Sequence, residues 1–476
     1  MFAIIITFLG LVSPSPAADT TFRTDVKLSA YASDAGQTPF WQRSLQYGQV
    51  PINNPGAVAI IRHAKTDNYR NKLGWKYEVE ATTWGGKSYD VFLTQAYVSG
   101  RFKKWELWAG RRKEVYGLGD TSNTSGFYAW SGNSVPTPKI QLGTRDYINI
   151  FNGWVGLNMA YSHGWIDNQG SVINSYLHQK SLYGRIGKTS SRFSVFGGLN
   201  HNATWGGEAK VKTGGEFDIY PSGLNTYFYV VTLLKDRTIV KIDTNSTFDD
   251  TQGFYGNHMG SFDMAIKYQP SWGEILLYKQ TAYETGRALS LAQFNDGLVG
   301  LSIKLKKQRI IQGITFEYLY TANQGNFTSG FAQLFNIIDP HLSEIENYYN
   351  NSRGGWIYMQ KGIGNPMVII DRESSQGGGS YFSFNAVKAY YMGIKGILPG
   401  DLHYHVRVSQ SNHSTPRNHL KPRLQSSDFL PQLSWGLNLE KSINSKFMAH
   451  ANIAGDQGQR INNTIGVQLG LKYIIL

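Results

Sequence analysis

The chain contains no cysteine. Disulfides, thiolate zinc sites and cysteine nucleophiles are therefore excluded together. After the first residues there is no apolar run approaching the roughly 18 residues a membrane helix needs, which excludes a helical membrane protein. Linkers, low-complexity tracts and blocks of like charge are also missing. A length of 476 residues could hold about three soluble domains, but nothing divides it, so one large architecture is expected. Sustained helical periodicity is almost absent as well.

Enzyme signatures are equally scarce. No HExxH, GxSxG or EF-hand pattern occurs. Gly86-Lys87-Ser88 and Gly187-Lys188-Thr189 resemble the end of a phosphate loop, but Ala81 and Leu182 stand where the earlier glycine is required. Both read as turns. His403 and His405 share a strand face two residues apart, the spacing of a metal pair, although a solvated lumen lining fits them better. No catalytic residue, metal or cofactor is expected. A Ser/His/acid triad assembled across strands, as in an outer-membrane hydrolase, stays open because its members would be distant in sequence.

What the chain does have is strand alternation. In Thr464–Tyr473, Ile465, Val467, Leu469, Leu471 and Tyr473 fall on one face, with Gly466, Gln468, Gly470 and Lys472 on the other. Period two with one uncharged apolar face and one small or polar face predicts a barrel strand between lipid and a wet interior. A soluble sandwich strand has the same local pattern. Recurrence decides between them: Phe262–Tyr268, Val299–Leu305, Leu402–Val408 and Leu433–Leu439 repeat it, and eighteen segments read as strands.

Connection lengths give an independent test, because outer-membrane barrels have even strand numbers, short periplasmic turns and long outer loops. The brief connections include Phe102, Lys188–Ser191, Ser271-Trp272 and Lys306–Gln308. Opposite them lie Glu114–Thr137, Ala203–Ser261, Thr321–Ser383 and Ser411–Leu430. Two lengths depart from this rule: the turn at Trp84-Gly85-Gly86 is short for an outer loop, and Thr144–Gly153 is long for a turn. Phe40 to Tyr47 could form a further strand. Lipid offers the backbone no hydrogen-bond partner, so the sheet must close. The expected fold is an all-β, transmembrane antiparallel barrel of about 18 strands over residues 19–476. One or both of the loops Ala203–Ser261 and Thr321–Ser383 should constrict its lumen.

At the N-terminus, Phe2–Val12 is too short to span a membrane and is followed by Ser13-Pro-Ser-Pro and Ala17-Ala18. The pattern reads as a signal peptide over residues 1–18, without a basic n-region. Export to the cell outer membrane follows, with outer-membrane lipid, lipopolysaccharide and the barrel-assembly machinery as partners. The net charge of +13, from 46 basic and 33 acidic residues, would attract polyanions such as acidic capsule or lipid phosphate. For most basic residues the preferred reading is pairing with lipopolysaccharide or with lumenal acids such as Glu106 and Glu317. Nucleic acid is not an expected partner for an exported barrel.

Several stretches carry a resemblance: WELWAGRRKEVYG at Trp105–Gly117, SGFYAWSGNSVPTPKIQL at Ser125–Leu142, Trp205-Gly-Gly, GNHMGSFD at Gly256–Asp263 and NYYNNSRGGWIYMQKGIGNPM at Asn347–Met367. From about Phe40 to the C-terminus the chain is similar to the capsule-assembly outer-membrane proteins of the Wzi family. The resemblance implies an eighteen-strand barrel closed to free diffusion that binds capsular polysaccharide at the cell surface. It departs from the family in starting its strands almost at once, where some members carry a periplasmic helical bundle, and in ending Ile-Ile-Leu without a terminal aromatic.

Glycans are held by ring faces and by planar or bidentate polar groups, with guanidinium added for acidic sugars. The candidate glycan-binding residues are Arg111, Arg112, Trp130, Trp205, Tyr348, Tyr349, Trp356 and Asn365. Girdle placement is the rival reading for outer aromatics and is preferred for Trp165. Loop-core packing is the rival for Trp130 and Trp356. Three functions stay in view: a surface polysaccharide binder that assists capsule assembly, a saccharide-selective or general porin, and an outer-membrane hydrolase.

Overall fold

The computed structural model describes residues 22–67, 71–166, 171–210, 219–236, 255–284, 293–306, 310–338, 346–350, 353–373, 381–418 and 420–475. The signal peptide expected over residues 1–18 lies outside the described residues. Eighteen antiparallel strands close on themselves. They are β1 (Phe22–Ser33), β2 (Gly56–Lys65), β3 (Leu73–Gly86), β4 (Asp90–Phe102), β5 (Trp105–Arg111), β6 (Lys139–Thr144), β7 (Val155–Ile166), β8 (Ser175–Ile186) and β9 (Phe193–Trp205). The second half continues with β10 (Asn257–Tyr268), β11 (Gly273–Tyr283), β12 (Gly297–Leu305), β13 (Gly313–Tyr320), β14 (Ala386–Leu398), β15 (Leu402–Ser414), β16 (Leu430–Ser442), β17 (Phe447–Gly458) and β18 (Thr464–Ile474). Closure is made by β1 against β18, from Asp25 opposite Ile474 to Ser33 opposite Gly466.

Each expected strand is present, and the alternation has the expected sense. Leu28, Val79, Val98, Leu107, Ile266, Phe316 and Leu469 are exposed on the outside. Their neighbours in sequence, among them Ser29, Glu78, Ser99, Glu106, Glu317 and Gln468, are buried toward the lumen. At the end of the barrel with short turns, Trp75, Trp105, Trp154, Phe193 and Trp272 form an exposed aromatic girdle, as expected at a membrane interface.

The irregular connections have local causes. Ile148–Ile150 continues the sixth strand after a break and pairs with Val155–Leu157, which accounts for the length of Thr144–Gly153. Strands β3 and β4 stay paired out to Trp84 opposite Asp90, so their outer connection is a tight turn. Phe40 to Tyr47 is not a strand. Phe40–Arg43 forms a short helix, α1, with all four residues buried, because its aromatics pack inside the lumen. Two further short helices, α2 (Leu224–Thr232) and α3 (Gly330–Leu334), lie in outer loops.

Candidate functional site

The outer connections that fold into the lumen include the entry loop 34–55, the strap 112–138 and the hairpin loop 321–385, and Glu284 and Asp296 at the two ends of the β11–β12 connection bond to Tyr349 and Tyr348 of the hairpin loop. The strap leaves β5, crosses the barrel and returns to β6. On the far wall, Leu118 N–H donates to Asp263 Oδ2 of β10 at 2.9 Å, and Tyr128 N–H to Gln280 Oε1 of β11 at 2.8 Å. Ser302 of β12 donates to Asp120 at 2.7 Å. Glu317 of β13 accepts from Thr124 Oγ1 at 2.7 Å, from Ser125 N–H at 2.6 Å and from the Tyr278 hydroxyl. Asn123 reaches the Gly393 carbonyl of β14 at 2.9 Å and His405 of β15 at 2.7 Å. A carboxylate accepting a backbone N–H makes a strong charge-assisted bond, so Glu317 is a principal anchor of the strap.

The entry loop is pinned from other sides. Trp41 Nε1 donates to Ser409 Oγ at 3.0 Å, Phe40 N–H to Asp456 Oδ2 at 2.8 Å, and Gln49 Nε2 to Glu80 Oε1 at 2.8 Å. The hairpin loop then packs on both. Trp356 Nε1 donates to the Ala129 carbonyl at 2.8 Å, Ser131 Oγ to the Gly364 carbonyl at 2.6 Å, and Asn133 Nδ2 to the Gly362 carbonyl at 3.1 Å. Glycine at 364 has a steric reason, since a Cβ there would lie 2.5 Å from the Tyr349 hydroxyl and 2.6 Å from the Tyr128 carbonyl.

Trp130, Tyr348, Tyr349, Trp356 and Asn365 meet in this plug. Trp130 and Trp356 contact edge to face at 6.2 Å, and Tyr128 and Tyr349 lie 5.3 Å apart, geometry that adds to simple area burial. Tyr349 donates to the Tyr128 carbonyl and accepts from Asn365 N–H at 3.0 Å. All five residues are buried. No ring face among them is open to a ligand, so the loop-core packing considered for Trp130 and Trp356 is where the structure puts them.

Arg112, the first residue of the strap, turns its side chain back onto β5. Its Nη1 donates to Glu106 Oε2 at 2.9 Å and its Nη2 to Glu114 Oε1 at 2.6 Å, with the guanidinium 4.4 Å from the Trp108 ring centroid. Lys76 pairs with Glu106 at 3.0 Å and Lys139 with Glu114 at 2.9 Å. The Lys139 ammonium stands 5.4, 4.9 and 5.4 Å from the rings of Trp108, Tyr116 and Trp130. Burial opposes the Glu114 charge, yet Lys139 and Arg112 hold its carboxyl below the usual range. This network borders a lumenal cavity of about 440 Å³ reaching Arg145 and Tyr147. A second cavity, of about 420 Å³, is lined by Lys27, Gln49, His403, His405, Arg407 and His450.

Arg111 and Trp205 lie elsewhere. Arg111 is half-buried at the outer rim, donating to the Tyr358 hydroxyl at 2.8 Å. Trp205 shares the lipid-side parity of Phe193 and Val195, and it stacks on Tyr227 of α2 at 5.1 Å outside the barrel. The structure therefore does not join Trp205 to the plug aromatics. Trp165 is exposed on the same outer wall.

Charges in the plug are set by burial and local partners. Burial raises Asp296 to about 6, although the Tyr348 hydroxyl and the N–H groups of Asn323 and Gln324 pull the other way. Burial likewise pushes Glu284 well above its ordinary value. At Glu373 burial is overcome by Lys361 and Arg43, which hold its carboxyl at about 2. Among the described residues, two Ser–His pairs occur on the inner wall, Ser29–His450 at 3.0 Å and Ser411–His413 at 2.8 Å. The other ring nitrogen of His413 is buried without a hydrogen-bond partner, so no carboxylate completes a triad there.

No known family model matches the chain, and no curated protein sequence matches it. Solved structures do. Wzi of Escherichia coli, an outer-membrane protein involved in group 1 capsule assembly and a carbohydrate-binding β-barrel, aligns over 94% of this chain and 83% of its own, with TM-score 0.56 and 13% identity. This is an outer-membrane β-barrel fold. OpdL of Pseudomonas aeruginosa aligns over 96% and 99% of the two chains (TM-score 0.46, 9% identity), and OprD of the same organism over 96% and 93% (TM-score 0.44, 9% identity).

Proposed function

We propose that this barrel binds capsular or extracellular polysaccharide at the cell surface and assists capsule assembly or attachment, as a Wzi-like protein without enzymatic activity. The observation carrying this reading is the plug: outer loops cross and fill the lumen, bonded to walls on opposite sides. Such a barrel is built to present a fixed outer surface. The fold shared with Wzi, a carbohydrate-binding barrel, supports it further.

The buried candidates Trp130, Tyr348, Tyr349, Trp356 and Asn365 act in this account by holding the plug's outer surface in place. Arg112 ties the start of the strap to β5. Direct glycan contact falls to the rim, where Arg111 is half-buried and Tyr89 and Gln360 are exposed. A ring, a guanidinium and an amide suit sugar C–H faces and hydroxyl or carboxylate groups. A glycan array on the refolded barrel tests this reading. Binding should be present and should weaken in the Arg111→Ala and Tyr89→Ala variants, while barrel folding is kept. An array with no bound glycan would reject it.

The second reading, a saccharide-selective or general porin, draws on the two lumenal cavities. It requires them to join through the plug. Steady conductance in a planar bilayer would favour it.

A further inference from the structure

The outer half of the wall at β7 to β10 breaks the lipid-facing pattern. On the periplasmic half of the same strands the outward residues are Leu157, Leu182, Ile186, Val195 and Ile266. Toward the outer end they become Tyr161, His163, Tyr176, His178, Lys180, His201 and His258. Imidazole and ammonium groups facing hydrocarbon would lack hydrogen-bond partners. Here α2 covers them.

Tyr227 supplies two contacts, its hydroxyl lying 2.8 Å from the Tyr161 hydroxyl and 3.4 Å from His178 Nδ1. Lys180 Nζ donates to the Val231 carbonyl, one of the last four carbonyls of the helix, which lack intrahelical partners and carry its negative dipole end. His201 Nε2 and His258 Nδ1 share a hydrogen bond at 2.8 Å, and His258 Nε2 meets the Tyr255 carbonyl at 2.9 Å, while His201 Nδ1 and His178 Nε2 are buried without a hydrogen-bond partner. The polar wall is thereby covered by the helix. Lys180 sits five residues below the outer end of β8, roughly 16 Å along the strand.

The opposite side of the helix exposes Leu224 and Phe228 together with Asn225 and Thr232, whose hydroxyl donates back to the Phe228 carbonyl at 2.7 Å. Leu224 is 88% exposed and Phe228 54%, one turn apart, flanked by Ile219 at 68% and Leu234 at 55%. A surface of this kind is unusual against water. It is continuous with the lipid-facing wall below it. We propose that α2 is embedded in the outer leaflet, its Leu224 and Phe228 face replacing a sector of barrel wall against lipid acyl chains. The helix moves the hydrocarbon boundary of the protein outward by one helix diameter at this sector of the wall.

The absence of cysteine makes the test direct, since Phe228→Cys creates the only labelling site in the chain. The barrel carrying a nitroxide at that position, in phospholipid vesicles, should be relaxed strongly by oxygen and weakly by a water-soluble nickel chelate. It should match Leu182→Cys on the lipid-facing wall and contrast with Leu420→Cys in an outer loop. Leu224→Cys repeats the measurement should Phe228→Cys fail to fold. Strong relaxation by nickel would place the helix in water. Protection from both reagents would mean a second protein copy covers it, and either result overturns the proposal.

Discussion

The hairpin loop 321–385 and the connection 206–256 leave the same end of the barrel, are the two longest outer segments, and meet opposite surroundings. The first turns inward and fills the lumen with Tyr348, Tyr349 and Trp356. In the second, Gly206 and Tyr220 meet Arg353 of the hairpin loop, and α2 turns outward onto the wall. Their sequences differ in what they can satisfy. Asn347–Met367 mixes rings with glycine, asparagine and serine, so its backbone can meet that of the strap at close range. Leu224–Leu234 is nearly all apolar apart from Asn225 and two threonines, Thr226 and Thr232. A loop that brings its own polar partners can enter a polar lumen. One that brings an apolar face needs lipid or a core.

The contrast can be sharpened or broken by experiment. The largest effect should follow removal of the strap: replacing residues 113–137 by a short glycine linker withdraws the bonds to Asp263, Gln280, Ser302 and Glu317 together. The expected outcome is a steady ion conductance absent from the intact barrel, while heat-modifiable mobility in gels is retained. A deletion variant that stays closed would show that the strap is not essential to the closure.

Next comes Trp356→Ala, which removes a large side chain from the plug core at a cost of about 3–5 kcal/mol. Limited proteolysis should then cut within residues 346–373 while the strands resist. Phe228→Ala serves as the paired control, because its side chain is half-exposed, and should leave proteolysis of the plug unchanged.

A third, intermediate effect concerns pH. Asp296 titrates at about 6, above the ordinary carboxyl value, so folding favours its protonated form. Its contribution is complete below the unfolded carboxyl value and is lost as pH rises through about 6. Glu284 acts in the same direction. Proteolytic opening of the hairpin loop should therefore increase between pH 5 and 7, and Asp296→Asn should flatten that rise. A profile unaffected by the substitution would remove Asp296 from the account.

The smallest change is expected from Arg112→Ala. It leaves Glu106 with Lys76 and Glu114 with Lys139, so each acid keeps one cation. A loss of about 1–3 kcal/mol in the stability of the strap is expected, read by hydrogen exchange at 113–118.

The strands were legible because period two is written locally, residue by residue, and lipid enforces an apolar outward face wherever it meets the wall. Long and short connections likewise reveal the barrel's two ends before any contact is known. The direction a loop takes is not local. Trp130, Trp205 and Trp356 look alike as loop or strand-end aromatics, yet two are buried inside the lumen and one lies outside under a helix. Phe40 to Tyr47 offers too few residues for alternation to separate a strand from one helical turn. Glu317 is the instructive middle case: its parity within Gly313–Tyr320 puts it in the lumen, but its role as an anchor depends on Thr124 and Ser125, nearly 200 residues earlier.

The central claim is that protein, not water, occupies the middle of this cylinder. Single-channel recording of the intact refolded barrel in a planar bilayer at pH 5 tests it most directly. The account predicts no steady conductance there, with a channel appearing only when residues 113–137 are removed. A stable, large conductance from the intact chain would contradict the plug and favour the porin reading.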